Sequence, residues 1–245
     1  MLLQVYFKNT CAIIQLDPLG GQYESRDRTF DKLTVFAQNM SRFLIVGNSK
    51  FPSELITKEL IKISDKIIAC DGAIERCLQH SIEADYVVGD MDSLEQITID
   101  ELLEMNLEVV KLDDQNNNDL SKAINYARDL GAKRIDIIGV EGGSNQHQFA
   151  SYWSIIDCPI ESYIHLQDSI ISIINSKSER YSIQVGKNFS VFPVGRCKGV
   201  CISGSKWILD NETIFPSSRG LHNIAKEKEI EISCEEGVLL VFRSR

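Results

Sequence analysis

Between Arg42 and about residue 140, short apolar runs alternate with stretches whose apolar positions recur at helical spacing. Phe43-Leu-Ile-Val-Gly47 is an apolar run closed by glycine, and Ser53 to Ile63 follows with a helical pattern. Lys66-Ile-Ile-Ala-Cys70 predicts a second strand, with a helix behind it over Ala73 to His80. Asp85-Tyr-Val-Val-Gly89 and Leu107-Glu-Val-Val-Lys111 predict a third and a fourth. From Asp119 to Leu130, the residues Leu120, Ala123, Ile124 and Ala127 share one face of an amphipathic helix that stops at Gly131. Arg134-Ile-Asp-Ile-Ile-Gly139 predicts the fifth strand. Apolar runs separated by helices indicate parallel strands covered on both faces.

Beyond about residue 160 the helical patterns stop. Short β-branched segments follow one another over Ile170–Ile174, Tyr181–Val185, Phe189–Phe192, Gly199–Ile202, Glu229–Ile232 and Val238–Phe242. Turn residues such as Gly186-Lys-Asn188 and Glu235-Glu-Gly237 punctuate them, which predicts an antiparallel sandwich or barrel. The expected architecture is α/β: a parallel, Rossmann-like sheet domain over residues 40–160, then an all-β domain over 161–245. Residues 1–39 fit this scheme poorly. They hold a Pro18-Leu-Gly-Gly21 turn and a polar stretch from Gln22 to Lys32, and Met40-Ser-Arg then leads directly into the first convincing strand. One reading is a leader, disordered or misassigned, with Met40 as the working start; the other is an N-terminal segment packed on the domain.

Composition narrows the function. The 245-residue chain is 43% hydrophobic, enough for a real core, and carries a net charge of −9. With no run of Lys and Arg to track a phosphate backbone, nucleic-acid binding is disfavoured. An enzyme this acidic needs local neutralisation to handle an anionic substrate. No apolar stretch approaches the roughly 18 residues of a membrane span, and the apolar start lacks a basic n-region and a cleavage site. The seven cysteines are scattered beside apolar residues, as buried reduced thiols are, and Cys197-x-x-x-Cys201 lacks the second ligand pair of a zinc site. A cytoplasmic location is expected.

The chemistry gathers at the carboxyl ends of the predicted strands. Strand two runs into Asp71-Gly72 and strand three into Gly89-Asp-Met-Asp-Ser93. Strand four leads to Asp113-Asp-Gln-Asn-Asn-Asn-Asp119, and strand five to Glu141-Gly-Gly143. Open α/β sheets bind ligands at that edge. Asp90 and Asp92 converge if the backbone between them stays extended. With Asp71 and Asp119 they form four carboxylates around one space, a repulsive arrangement that a hard divalent cation relieves. Mg²⁺ is the natural choice for a phosphate substrate. Taken singly, Asp71 and Asp90 also read as turn residues and Asp119 as a helix N-cap. Lys122 lies in the first turn of the helix, where the dipole disfavours a cation, so it is expected to face a phosphate, a solvated surface lysine being the other reading. Gly142 and Gly143 would let backbone N–H groups approach a phosphate. His147 fits either a polar lining or a satisfied helical histidine.

These segments resemble those of the thiamine pyrophosphokinases. Cys70-Asp-Gly-Ala-Ile-Glu-Arg76 is similar to the family's Ala-Asp-Gly-Gly-Ala-Asn-Arg motif, and Asp85-Tyr-Val-Val-Gly-Asp-Met-Asp-Ser93 to Pro-Asp-x-Ile-x-Gly-Asp-x-Asp-Ser. Asp114-Gln115 through Asp119, with Lys122-Ala123, resembles Asp-Gln-Asp-x-Thr-Asp-x-x-Lys-Ala. Gly142-Gly143 with His147 is similar to Gly-Gly-Arg-x-Asp-His. Gly204-Ser-Lys-Trp-Ile-Leu209 and Ser218-Arg-Gly-Leu-His-Asn223 resemble two elements of the family's β domain. The likeness covers residues 42–245 in order.

The resemblance implies transfer of a pyrophosphoryl group from ATP to the thiamine hydroxyl, giving thiamine diphosphate and AMP. It implies Mg²⁺ on Asp71, Asp90, Asp92 and Asp119, with Asp90 or Asp92 as acceptor of the hydroxyl proton. ATP contacts would come from Arg76, Gln115, Asn118, Lys122, Gly142, Gly143 and His147. Thiamine contacts would come from Trp207, Ser218, His222 and Asn223, with a core role as the other reading of Trp207. A homodimer is expected as well. The chain departs from the pattern at Ala73 and Glu75, at Asn116 and Asn118, at Ser144 and Gln146 (Arg and Asp in the family), and at His222. Two rivals therefore stand beside this reading: a pyrophosphokinase for another alcohol such as a hydroxymethyl-pterin, and a non-catalytic nucleotide-binding relative.

Overall fold

The structure, a computed structural model, describes residues 42–245 except positions 96, 106, 113 and 115, and the backbone of two strands nearer the N-terminus. The chain forms two compact units, Met1–Ser162 and Tyr163–Arg245.

In the first unit, β1 (Leu2–Phe7) and β2 (Thr10–Gln15) form an antiparallel hairpin. Five parallel strands follow: β3 (Arg42–Val46), β4 (Lys66–Cys70), β5 (Tyr86–Gly89), β6 (Glu108–Lys111) and β7 (Arg134–Ile138). Their spatial order is β7-β3-β4-β5-β6, with β1 antiparallel on the outer edge of β6. Part of the segment expected as a leader therefore contributes two strands. Residues 16–41, including Met40, lie outside the described residues, and the leader reading rests largely on them.

The expected parallel sheet is present for the reason the pattern gave. Phe43, Ile45, Ile68, Val87, Val109 and Ile137 are all fully buried on strands with no solvent face. One charge sits among them. Asp136 on β7 has no exposed surface, and its carboxylate takes a hydrogen bond from Arg42 Nε at 2.7 Å and from Arg134 Nε at 3.2 Å. Five helices are described: α1 (Glu54–Ile63), α2 (Ala73–Gln79), α3 (Ile99–Glu104), α4 (Asp119–Asp129) and α5 (Asn145–Ile156). The apolar face of α4 packs over β3, β4 and β5.

The chain runs outward from β3 through β4 and β5 to β6, then crosses to β7 on the far side of β3. The strand order reverses between β3 and β7. That is a topological switch point, where an open α/β sheet parts its loops.

The second unit holds two antiparallel sheets around one core. The first has the order β14 (Asn223–Ile224), β11 (Asn188–Pro193), β16 (Val238–Ser244), β9 (Ser169–Asn175), β8 (Glu161–His165). The second has the order β10 (Ser178–Ser182), β15 (Glu229–Ser233), β12 (Cys197–Ser203), β13 (Leu209–Ile214). Phe189, Val191, Val200, Ile230, Ile232 and Val241 meet between them, which makes the unit a sandwich. β8, β13 and β14 are additional to the expected strands, and β10 begins at Ser178 rather than Tyr181.

Candidate active site

β4 delivers Asp71 and β5 delivers Asp90 to the same edge of the sheet. The Asp71 N–H still donates to Val88 O at 2.9 Å, so its backbone remains in the ladder while its side chain turns in over Gly89. A Cβ on Gly89 would lie 2.6 Å from Asp71 Cβ, so only glycine lets the two strand ends approach this closely. Asp71 is 2% exposed. One of its oxygens accepts from Ser93 N–H at 3.4 Å, and the other, Oδ1, is buried with no hydrogen-bond partner.

Asp71, Asp90 and Asp92 each place a carboxylate oxygen within 4.8 Å of the other two, the one such group among the described residues. The extended backbone expected between Asp90 and Asp92 is not what joins them. Met91 adopts the left-handed region at φ 67°, and the chain turns there. A non-glycine residue held in that region stores strain that the surrounding structure must support. The turn carries Asp92 back, with its N–H 3.5 Å from Asp90 Oδ1 and its carboxylate accepting from Ser93 Oγ at 3.0 Å.

Electrostatics separate the three acids. Burial pushes the Asp71 carboxyl up to about 6; the Ser93 N–H opposes this and the charges of Asp119 and Asp90 add to it. For Asp90, burial works in the same direction, but hydrogen bonds from Lys122 and with Asp92 outweigh it and hold the carboxyl below its ordinary value. Three converging carboxylates, one with an orphaned buried oxygen, suit a hard divalent cation with oxygen ligands.

Asp119 is brought near but belongs to a different arrangement. Its Oδ1 lies 3.0 Å from Lys122 Nζ, which also reaches Asp90 Oδ2 at 3.1 Å. The helix-dipole argument expected Lys122 to face a phosphate. Its side chain is instead 4% exposed and clamped between two carboxylates, which raise its pKa against the opposing effect of burial. Asn118, expected as an ATP contact, is the N-cap of α4: its Oδ1 accepts from Ser121 N–H at 2.8 Å. Its amide also meets Ser154 Oγ at 3.3 Å. The cap is thus Asn118 rather than Asp119. Gln115 lies outside the described residues.

Arg76 on α2 donates from Nε to Asn48 Oδ1 at 3.2 Å. Gly142 and Gly143 are both left-handed, at φ 78° and 68°, and exposed. The Gly142 N–H already donates to Gln148 Oε1 at 3.2 Å. His147 is exposed on the first turn of α5. Sequence reasoning passed over Asn48, and gave Ser93 no role although it lies in the Gly89–Ser93 strand end. Asn48 sits at the carboxyl end of β3, a strand end with the same positional signal as the four that were counted but without an acid to mark it.

In the second unit, Trp207 is 52% exposed, which removes the core reading. Its backbone is pinned by Asn223, whose Oδ1 accepts from Trp207 N–H at 3.1 Å and whose Nδ2 donates to Trp207 O at 2.7 Å. The buried Asn223 amide also bonds Ser205 Oγ and Ile224 N–H, so it is consumed in holding this loop. Ser218 and His222 are exposed; His222 is left-handed at φ 57°, with its N–H on Ser190 Oγ.

The family model for the thiamin pyrophosphokinase catalytic domain matches residues 57–166, and the model for the thiamin pyrophosphokinase vitamin B1 binding domain matches residues 172–239. The chain belongs to the thiamin pyrophosphokinase family. Its activity is that of an ATP-dependent diphosphotransferase acting on thiamine. Solved structures share the fold. The thiamine pyrophosphokinase of Bacillus subtilis is 19% identical, with a TM-score of 0.69 over 83% of this chain and 99% of its own. A thiamin pyrophosphokinase family protein of Enterococcus faecalis is 17% identical, with 0.70 over 84% and 99%. The yeast enzyme is 14% identical, with 0.66 over 84% and 87%. No curated protein matches the chain at a significant level.

Proposed function

We propose that the chain makes thiamine diphosphate with Mg²⁺ held by Asp71, Asp90 and Asp92, the first unit handling ATP and the second thiamine. The observation that carries the metal assignment is the orphaned, buried Oδ1 of Asp71 beside two further carboxylates. Left bare, such a group is costly; a divalent cation held by Asp71, Asp90 and Asp92 would satisfy it and supply charge neutralisation for a phosphate substrate. The residues present fit that role.

In the transfer itself, the thiamine hydroxyl oxygen forms a bond to the β-phosphorus while the bond from that phosphorus to the α-phosphate oxygen breaks, releasing AMP. The hydroxyl proton passes to Asp90 or Asp92. Positioning and charge neutralisation do most of the work in such a reaction. Lys122 contributes by fixing Asp90 and Asp119, so the carboxylates stand in place before the nucleotide arrives. Arg76 and the Gly142-Gly143 turn border the nucleotide, and Trp207 offers its exposed face to the cationic thiazolium.

The vitamin B1 binding-domain match favours thiamine over a hydroxymethyl-pterin. A homodimer is supported by the exposure of Trp207, Ile208, Phe215 and Leu221 on the second unit, each more than half open. A cytoplasmic setting is supported by the free, mostly buried cysteines among the described residues. Among the described residues, no helix is long and apolar enough to cross a membrane. Incubating the purified protein with ATP, Mg²⁺ and thiamine tests the whole reading. Thiamine diphosphate and AMP in equal amounts are expected; release of ADP, or turnover of a pterin alcohol with thiamine ignored, would overturn it.

A further inference from the structure

We propose that the loop after β3, Asn48-Ser49-Lys50, binds the polyphosphate of the nucleotide, with Lys50 as its cation. The proposal rests on the pyrophosphokinase reading and adds residues that the motif segments do not contain. The loop leaves the sheet at the switch point, where ligands of open α/β sheets sit. It is laced to the loop after β7: Ser49 N–H donates to Gly139 O at 2.8 Å and Lys50 N–H to Glu141 O at 3.1 Å. Above this floor there is room. Nothing lies within 4 Å of a Cβ placed on Gly142, and a Cβ on Gly143 would meet only Ser49 Oγ, at 3.2 Å.

The same loop reaches the carboxylates. Asn48 takes the Arg76 hydrogen bond, and its Nδ2 lies 2.8 Å from a Cβ placed on Gly72. That Cβ would be equally close to Ser93 O, and Ser93 N–H in turn donates to Asp71. One continuous rim therefore runs from Glu141 past Lys50, Ser49 and Asn48 to Asp71. A polyphosphate anchored at the carboxylate end extends along it.

Charge selects Lys50 on this rim. Lys122 is committed to Asp90 and Asp119 and nearly closed to solvent. Gly142 N–H is committed to Gln148. Lys50 Nζ has an ion pair with Glu141 Oε1 at 3.6 Å, and its side chain is 65% exposed. A pair this long and this open to water contributes little, so the ammonium is free to exchange Glu141 for a more highly charged phosphate.

Calorimetric titration with Mg²⁺-ATP, and separately with Mg²⁺-pyrophosphate, tests the loop without requiring turnover. Lys50→Met is expected to weaken both ligands about ten-fold and Lys50→Arg to leave them close to wild type. Glu141→Gln is expected not to weaken either, because it releases the lysine for the phosphate. In steady state, Lys50→Met raises KM for ATP and leaves KM for thiamine unchanged. Wild-type affinities in Lys50→Met, or an equal loss in Glu141→Gln, would overturn the proposal; the latter would make the pair structural. Because the lysine is mostly solvated, its truncation is compatible with folding, and Lys50→Gln serves as a second neutral variant. If the wild type binds Mg²⁺-ATP in a Lys50-dependent way yet leaves thiamine unconverted, the loop stands and the thiamine activity falls.

Discussion

Asp71 and Asp92 belong to one cluster but meet opposite environments. Asp71 is closed off, with its carboxyl pushed up to about 6 from an ordinary 3.8. The folded protein thus holds a proton that the unfolded chain has already released, and stability falls as pH rises through that window. Above about pH 6 the full penalty of a bare buried carboxylate remains. In a metal-free buffer at pH 7.5, Asp71→Asn is therefore expected to melt higher than wild type, with the difference closing by about pH 4. Mg²⁺ is expected to raise the wild-type melting temperature and to raise the variant's less. Identical melting curves at both pH values would remove the buried-charge argument. Asp92 is exposed and takes one hydrogen bond from Ser93, so Asp92→Asn costs the fold little. In the proposed metal site it removes a ligand charge instead, and turnover is expected to fall at least about a hundred-fold. Near-normal turnover with an unchanged Mg²⁺ requirement would take Asp92 out of the metal site.

At the scale of strands and helices, the site depends on how closely β4 and β5 end together. Gly89→Ala pushes a methyl to within 2.6 Å of Asp71 Cβ, an overpacking that costs about 1–3 kcal/mol. Since the atom displaced belongs to an aspartate of the proposed metal site, Mg²⁺ affinity is expected to weaken along with the melting temperature. A stable variant with wild-type Mg²⁺ binding would show that the strand ends are free to separate. The sequence made β4 and β5 legible because each centres on an apolar run that leads into aspartate or glycine. It made the acidic edge legible for the same positional reason. Other features left weaker traces. α3 is only six residues long, and its sole signal is the capping box of Thr98 and Glu101. Met91 turns left-handed without the glycine that would announce it. The pairing of Lys122 with Asp90 joins residues 32 positions apart, a contact that periodicity along α4 does not encode. The loop after β3 carries no acid, so the search for carboxylates passed over it.

For the whole molecule, the expectation is that ATP chemistry and thiamine recognition separate by unit, and substitutions in the second unit test it. Thiamine is a flat cation, and the protein's net charge of −9 favours it generally without choosing a place for it. In the proposed function Trp207 supplies a place. Asn223 fixes its backbone from both sides, so the ring is presented by a rigid loop although it is 52% exposed. Lys206 Nζ already sits 4.3 Å from the ring centroid, the position a cationic ligand would take. A thiazolium there must displace the lysine, an exchange of one cation for another with the gain of flat contact area. Removing the ring forfeits about 0.5–2 kcal/mol of cation–π attraction, so Trp207→Ala is expected to raise KM for thiamine by roughly two- to thirty-fold. KM for ATP is expected to stay constant. Removing the competing cation works the other way, and Lys206→Met should hold or lower KM for thiamine. Because the indole is half in solvent, the alanine variant is expected to lose far less than the roughly 3–5 kcal/mol of a core tryptophan. A large drop in melting temperature with thiamine KM unchanged would make Trp207 a structural residue and move the thiamine site elsewhere on the second unit.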